Sequence, residues 1–231
     1  MMAIWRFVWL VLCIVSIGTA VPVLFSGSLR SDYAFVINRK IASIWPPKYA
    51  FVGNSLTAGC NWRWELGSLS VVNLATGGAV IREVTHQLTQ VLPLKPRFLF
   101  IEAGINDVVT ESSPIERIAY DFDYLLRQLP SNQKAVVTLI PLVSSHSLTD
   151  KIVAANSAIA SHVESRGLSI IDLNPLIATH GVRYPEMTTD GIHFTHKACS
   201  VWVDEIRQII EAGAISSDNR NLGDLQIASP R

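Results

Sequence analysis

From residue 49 onward the chain alternates short, unbroken apolar runs with longer amphipathic stretches, and few folds can accommodate that alternation. The runs cover residues 49–53, 71–74, 98–103, 135–140 and 169–173. Their continuous apolar character marks strands covered on both faces, not strands with one wet side. The stretches between them read as helices. Over 80–91, Val80, Val84, Leu88 and Val91 share one face, and Pro114 opens a helix over 115–129 behind Ser112 or Ser113 as a cap. Residues 150–165 and 195–212 complete the set. Five β units alternating with helices predict an α/β fold, a three-layer α/β/α sandwich around a five-stranded parallel sheet. No internal repeat interrupts the pattern.

At 231 residues, with 19 basic and 19 acidic side chains, the chain holds one full core and has little room for another. It carries no basic stripe of the kind that binds nucleic acid, so no nucleic-acid partner is expected. Residues 7–25 contain no charge. This run reads as an uncleaved transmembrane anchor or as a signal peptide with Gly18-Thr19-Ala20 at the cleavage point, the anchor being preferred. A helix of the globular core is the third reading, set aside because nothing nearby is amphipathic. Arg6 stands before the run, but Arg30, Arg39 and Lys40 follow it, so charge bias does not favour an N-terminus in the cytoplasm. The expected arrangement is residues 1–26 as anchor or signal, 27–47 as connector, 48–214 as the folded domain and 215–231 as a polar tail. The domain is expected to be membrane-anchored or exported and extracytoplasmic, hence periplasmic in a Gram-negative cell. Of the three cysteines, Cys60 and Cys199 lie five residues after Ser55 and six after His193. They are read as two buried thiols, with a disulfide as the alternative in an oxidising compartment.

Four segments that follow four different strands carry reactive or polar groups. Ser55 follows the first run, Gly77-Gly78 the second and Asn106 the third, while Asp190 and His193 lie in the long loop after the fifth. Ligands of an open α/β sheet bind beyond the carboxyl ends of its strands, so one edge can gather all four. A serine hydroxyl needs an adjacent base to take its proton. Imidazole, which ordinarily titrates near neutrality, suits His193 to that task. Asp190, three residues earlier, can accept the other ring N–H and fix the tautomer. An oxyanion formed by attack on a carbonyl needs preorganised donors, and the backbone N–H groups of Ser55 and Gly78 with the Asn106 amide supply three.

Gly53-Asn54-Ser55-Leu56, Asn73 with Gly78, Gly104-x-Asn106-Asp107 and Asp190-x-x-His193 together resemble the four blocks of the SGNH (GDSL) hydrolase superfamily. The resemblance spans roughly residues 48–212. It implies a flavodoxin-like sandwich and hydrolysis of esters or thioesters without metal or other cofactor, with Ser55, Gly78, Asn106 and His193 at the four named positions and Asp190 as the acid. One departure stands out: the aspartate usual before the serine is Asn54 here. Thr57 occupies the place where an α/β-hydrolase elbow needs glycine, which excludes that motif.

Each block has a plainer reading when taken singly. Ser55 can cap a helix, Gly77-Gly78 can form a turn, and Asn106-Asp107 can cap the next segment. Asp107 competes with Asp190 as the acid but better supports the loop that carries Asn106. Asp190, His193 and His196 lack a second cluster at metal-ligand spacing, so no metal is expected. Trp62 and Trp64 are candidate substrate contacts, set against the slightly favoured reading that they pack the first helix onto the sheet. Arg183 and Tyr184, in the loop before Asp190, are further candidates for substrate contact. The chain is thus expected to be a serine esterase acting on an acyl ester of a carbohydrate or lipid. O-deacetylation of an envelope or exported carbohydrate is preferred over lysophospholipase or thioesterase action on longer chains. Transfer of the acyl group to a sugar hydroxyl shares the same acyl-enzyme. Two non-enzymatic rivals are a carbohydrate-binding module on a hydrolase fold and a domain that mainly anchors a partner. No oligomeric state is indicated.

Overall fold

The computed structural model describes residues 46–226, with side chains described as far as residue 212. The apolar run at 7–25, Cys13 and the connector before residue 46 lie outside the described residues. Among the described residues no helix is long and apolar enough to cross a membrane.

Five apolar runs form five strands: β1 (Tyr49–Val52), β2 (Val71–Asn73), β3 (Phe98–Glu102), β4 (Ala135–Thr138) and β5 (Ser169–Ile171). They pair in the order β2-β1-β3-β4-β5, every pair parallel. Strands β1, β3 and β4 are buried along their whole length, as their unbroken apolar character requires. Each strand stops short of its expected end, which frees Gly53, Ala103 and residues 139–140 for the loops above the sheet.

Helices α1 (Ser55–Gly59) and α2 (Trp62–Glu65) follow β1, and α3 (Ile81–Val91) follows β2. After β3 come α4 (Ile105–Val109) and α5 (Ile115–Arg127), and after β4 comes α6 (Thr149–Glu164). Helices α3, α5 and α6 pack side by side on one face of the sheet. On α3 the buried positions Ile81, Val84, Leu88 and Val91 form the expected apolar face. Pro114 takes the capping position of α5 itself, and no side chain caps that helix.

Beyond β5 the chain forms α7 (Asn174–Ile177) and a two-stranded antiparallel ribbon of β6 (Ala178–Thr179) and β7 (Val182–Arg183). The last helix, α8, runs His196–Gln226 and packs with α2, α7 and β5. Residues 215–226, expected to belong to a polar tail, thus continue α8, and residues 227–231 lie outside the described residues. No proline lies between His196 and Pro230, and Ala214, Leu222, Leu225 and Gln226 are good helix formers.

An aromatic column joins the sheet to this second helical layer. Phe51 stacks between Phe100 and Trp62, with ring centroids 4.9 and 4.1 Å away. Trp62 meets the edge of Trp202 at 4.9 Å, and Trp202 meets Phe194 at 5.7 Å. The buried indoles are also tied by hydrogen bonds, Trp62 Nε1 to the Thr57 carbonyl at 2.7 Å and Trp202 Nε1 to Thr138 Oγ1 at 3.0 Å. Such pairs add roughly 0.5–1.5 kcal/mol each beyond their buried area.

Candidate active site

The strand order reverses direction at β1, between β2 and β3, and it is above this switch point that the candidate residues gather. Ser55 begins α1 directly beyond β1. Asn54 caps that helix, its Oδ1 accepting the Leu56 N–H at 2.9 Å. Gly53 allows the tight approach beneath: a Cβ there would collide with Thr57 Oγ1 and lie 2.8 Å from the Glu102 carbonyl oxygen. Gln87, reaching up from α3, accepts from the Gly53 N–H at 2.8 Å and donates to the Gly53 carbonyl and to Thr76 Oγ1, both at 3.0 Å. Sequence reasoning missed this residue; its signal was an uncharged polar side chain beside Leu88, next to the apolar face of the helix.

The loop after β2 is pinned to the serine segment by Asn73, whose Nδ2 donates to the Thr57 carbonyl at 3.4 Å. Gly78 follows with φ at +77°, a backbone region that glycine enters without strain. After β3, Asn106 lies in the first turn of α4 and donates Nδ2 to the Ala79 carbonyl at 2.9 Å. A primary amide has two such hydrogens, so one remains for another acceptor. Asp107 accepts the Ile81 N–H at 3.1 Å, which ties the Asn106 turn to the start of α3. Its carboxyl is raised to about 6 by burial. Its bond to Ile81 supports the loop that carries Asn106, while the carboxylate on His193 Nδ1 is that of Asp190.

His193 arrives from the far side. Its Nε2 lies 3.0 Å from Ser55 Oγ, and its Nδ1 lies 2.6 Å from Asp190 Oδ2. The other oxygen of Asp190 accepts the backbone N–H groups of Ile192 and His193 at 3.0 and 2.8 Å. The His193 side chain and these two N–H groups hold the Asp190 carboxyl well below the usual carboxylate range. The Asp190 and His193 side chains are about half exposed, 54% and 47%. The site is thus an open rim and not a buried chamber.

Arg183 fixes the loop that carries this pair. Its Nε donates to the Leu142 carbonyl at 2.7 Å, its Nη1 donates to the Ile192 carbonyl, and its guanidinium lies 4.6 Å over the Phe194 ring. Buried at 2% exposure, it braces the loop from within and is not the surface substrate contact the sequence suggested. The Ser144 N–H adds a bond to the Gly191 carbonyl at 2.9 Å.

Trp62 is likewise in the core, at 2% exposure, whereas Trp64 is 78% exposed. The packing reading therefore holds for Trp62, and substrate contact remains open only to Trp64. Tyr184 is partly exposed, and its N–H bonds to the Ile177 carbonyl. The His196 ring pairs with Glu65 at 3.1 Å. Among the described residues no group of three or more His, Cys, Asp or Glu side chains is placed to hold a metal ion.

Cys60 and Cys199 form a disulfide, with Cα atoms 5.7 Å apart. This corrects the expectation of two thiols. The fold that sets His193 beside Ser55 also sets the two cysteines within bonding geometry.

The GDSL-like Lipase/Acylhydrolase family model matches residues 51–199. Among solved structures, a GDSL-like lipase from Bacteroides thetaiotaomicron superposes with a TM-score of 0.66 at 18% identity, covering 78% of this chain and 97% of that one. An acetyl xylan esterase from Geobacillus stearothermophilus gives a TM-score of 0.57 at 15% identity, covering 68% and 91%. These likenesses show the fold. An N-acylneuraminate cytidylyltransferase of Streptococcus agalactiae serotype V is 23% identical over 190 residues, 78% of this chain but 43% of the relative. The chain thus spans less than half the length of that curated relative. With four sequence blocks on one sheet edge and a family match over most of the folded region, the chain belongs to the GDSL-like lipase/acylhydrolase family.

Proposed function

We propose that the protein is a serine esterase that removes small acyl groups, acetate foremost, from a carbohydrate outside the cytoplasm. The observation that carries the chemistry is the continuous Asp190–His193–Ser55 hydrogen-bonded chain. Ser55 Oγ attacks the acyl carbonyl while His193 Nε2 takes its proton. Asp190 holds the imidazole in the tautomer that leaves Nε2 free and stabilises the cation that forms. The N–H groups of Ser55 and Gly78 and the second amide hydrogen of Asn106 receive the oxyanion. These donors come from the loops after the adjacent strands β1, β2 and β3. His193 then protonates the leaving alcohol, and water, activated by the same base, releases the acyl group from Ser55.

The carbohydrate reading draws on three supports. The half-exposed acid–base pair and the short helices α1 and α2 leave the nucleophile accessible to a group carried on a bulky polymer. One structural neighbour is an acetyl xylan esterase, and the curated relatives are named for an N-acylated sugar acid. The exposed Trp64 offers an aromatic face of the kind on which sugar rings stack. A disulfide within the folded domain suits an oxidising compartment, and the uncharged run at 7–25 is of a length to anchor or export the domain there.

The test is hydrolysis by the purified full-length protein of p-nitrophenyl acetate, butyrate and palmitate, and of acetylated xylan and an O-acetylated N-acylneuraminate, beside Ser55→Ala. The expected result is acetate release from one of the sugars and an optimum at the shortest chain, both lost in the variant. An optimum at palmitate would replace the carbohydrate reading with a lipid one. Sugar binding without turnover, retained by Ser55→Ala, would make the domain a binding module.

A further inference from the structure

We propose that Glu102 is the positioning residue of the Ser55 turn and that Asn54 is its matched donor, an inference that rests on Ser55 being the nucleophile. Glu102 ends β3, 1% exposed, beneath the serine turn. Its Oε1 accepts from Asn54 Nδ2 at 3.0 Å, and its Oε2 accepts from Thr57 Oγ1 at 3.2 Å. These are the residue before Ser55 and the residue two after it, so a single carboxylate grips the nucleophile from both sides. From Glu102 the chain passes through Gly104, which caps α4, to Asn106 in its first turn, so the grip also sets the serine relative to the amide proposed to receive the oxyanion.

This arrangement accounts for asparagine at position 54. Its carbonyl oxygen caps α1 through the Leu56 N–H while its nitrogen donates downward to Glu102. An aspartate would keep the cap but set a second carboxylate against the first. Like charges in a buried site oppose one another strongly, and an ionised group there needs hydrogen bonds or a countercharge. The two hydrogen bonds supply the former. Arg183 supplies the latter through space, its field favouring the ionised forms of Glu102 and Asp190 while its own bonds hold Ile192 and Leu142. Against them burial raises the Glu102 carboxyl to about 7. The pair Asn54–Glu102 therefore does at this site what a single capping aspartate cannot, since it provides both the helix cap and a link to β3.

The experiment compares the full-length protein with Glu102→Gln, Asn54→Asp, the double variant and Thr57→Val, which removes one bond to Glu102 and keeps its shape. Three quantities are read: the melting temperature, kcat and KM on p-nitrophenyl acetate, and the rate at which a fluorophosphonate labels Ser55. The labelling reaction forms a P–O bond to Oγ with loss of fluoride and needs no knowledge of the natural substrate. Each single change at 54 or 102 is expected to lower kcat and labelling about 10- to 100-fold, since a shift of about 1 Å suffices for that, with KM within about twofold. In the double variant the introduced glutamine amide on β3 donates to the introduced carboxylate before Ser55, the reverse of the native bond, and labelling recovers by about tenfold over Asn54→Asp. Thr57→Val, the mildest change, loses about 3- to 10-fold and decides the matter should Glu102→Gln not fold. Labelling of folded Glu102→Gln at the unmodified rate, or a double variant whose loss is the product of the two singles, would overturn the inference while leaving Ser55 as nucleophile. Absence of labelling at Ser55 in the unmodified protein would overturn both.

Discussion

Cys60 and Cys199 are bonded across 139 residues of chain, and Ser55 and His193, 138 residues apart, meet at 3.0 Å. The covalent link lies just beyond α1 on one side and in the first turns of α8 on the other. It therefore fastens together the two segments whose ends carry the proposed nucleophile and base. Closing so long a loop removes about 5 kcal/mol of chain entropy from the unfolded state in the simplest model, and measured effects run about 2–5 kcal/mol. The double variant Cys60→Ser/Cys199→Ser is expected to unfold at lower urea concentration by an amount in that range. Identical urea midpoints for the two proteins would show that the bond contributes nothing to stability.

Asp190→Asn should lower kcat by about 10,000-fold while KM stays close to its original value, because an amide at this position favours the wrong imidazole tautomer. The native carboxyl is held well below the usual range by the His193 ring and two backbone N–H groups. A depressed acid stabilises the fold above its unfolded pKa and loses that effect as pH falls through the folded one. Asp190 therefore stays ionised well into acid, and an acid limb in kcat/KM at pH 5 or above that vanished in Asp190→Asn would contradict its role as a fixed anion.

Glu102 titrates in the opposite sense. Burial raises it from 4.5 to about 7, so its contribution is fully present below the unfolded value and is lost as pH rises through about 7. Asp107, raised to about 6, adds to the lower part of the same window. Urea midpoints of the native protein should fall between these limits, and Glu102→Gln should flatten the upper part of the curve. An equally steep fall in the variant would assign the dependence elsewhere.

The two tryptophans of α2 offer a contrast that stability measurements can read. Trp62→Ala removes a stacked, hydrogen-bonded core ring and is expected to destabilise by about 3–5 kcal/mol. Trp64→Ala, at an exposed position, should change stability by less than about 0.5 kcal/mol. A loss of activity on sugar esters in Trp64→Ala, with p-nitrophenyl acetate turnover intact, is the result expected if that ring stacks on substrate.

What the sequence displayed was whatever depends on local chemistry. Strands β1, β3 and β4 were visible because burial on both faces leaves unbroken apolar runs, Ser55 and Asn106 because each closely follows such a run, and Asp190 and His193 because they stand three residues apart. What it concealed depends on partners distant in the chain. Arg183 carries a charge and so looked like a surface residue, but it is buried, and the Leu142 carbonyl that its Nε meets lies 41 residues back along the chain. Gln87 drew no reading from the sequence, although it clamps the backbone of Gly53 34 residues away. The state of Cys60 and Cys199 turned on a Cα separation that spacing alone does not give. Helix α8 overran its expected end because residues 215–226 contain no proline and their polarity alone does not stop a helix.

The order of these parts along the chain has a consequence for biogenesis. The serine is made with the first strand of the domain and its base only after the fifth, so any product of early termination or of proteolysis before residue 193 carries the hydroxyl without its histidine. In a chain threaded N-terminus first, the reactive centre comes into being only when nearly all of the domain has emerged, and the Cys60–Cys199 bond then records that this point was passed.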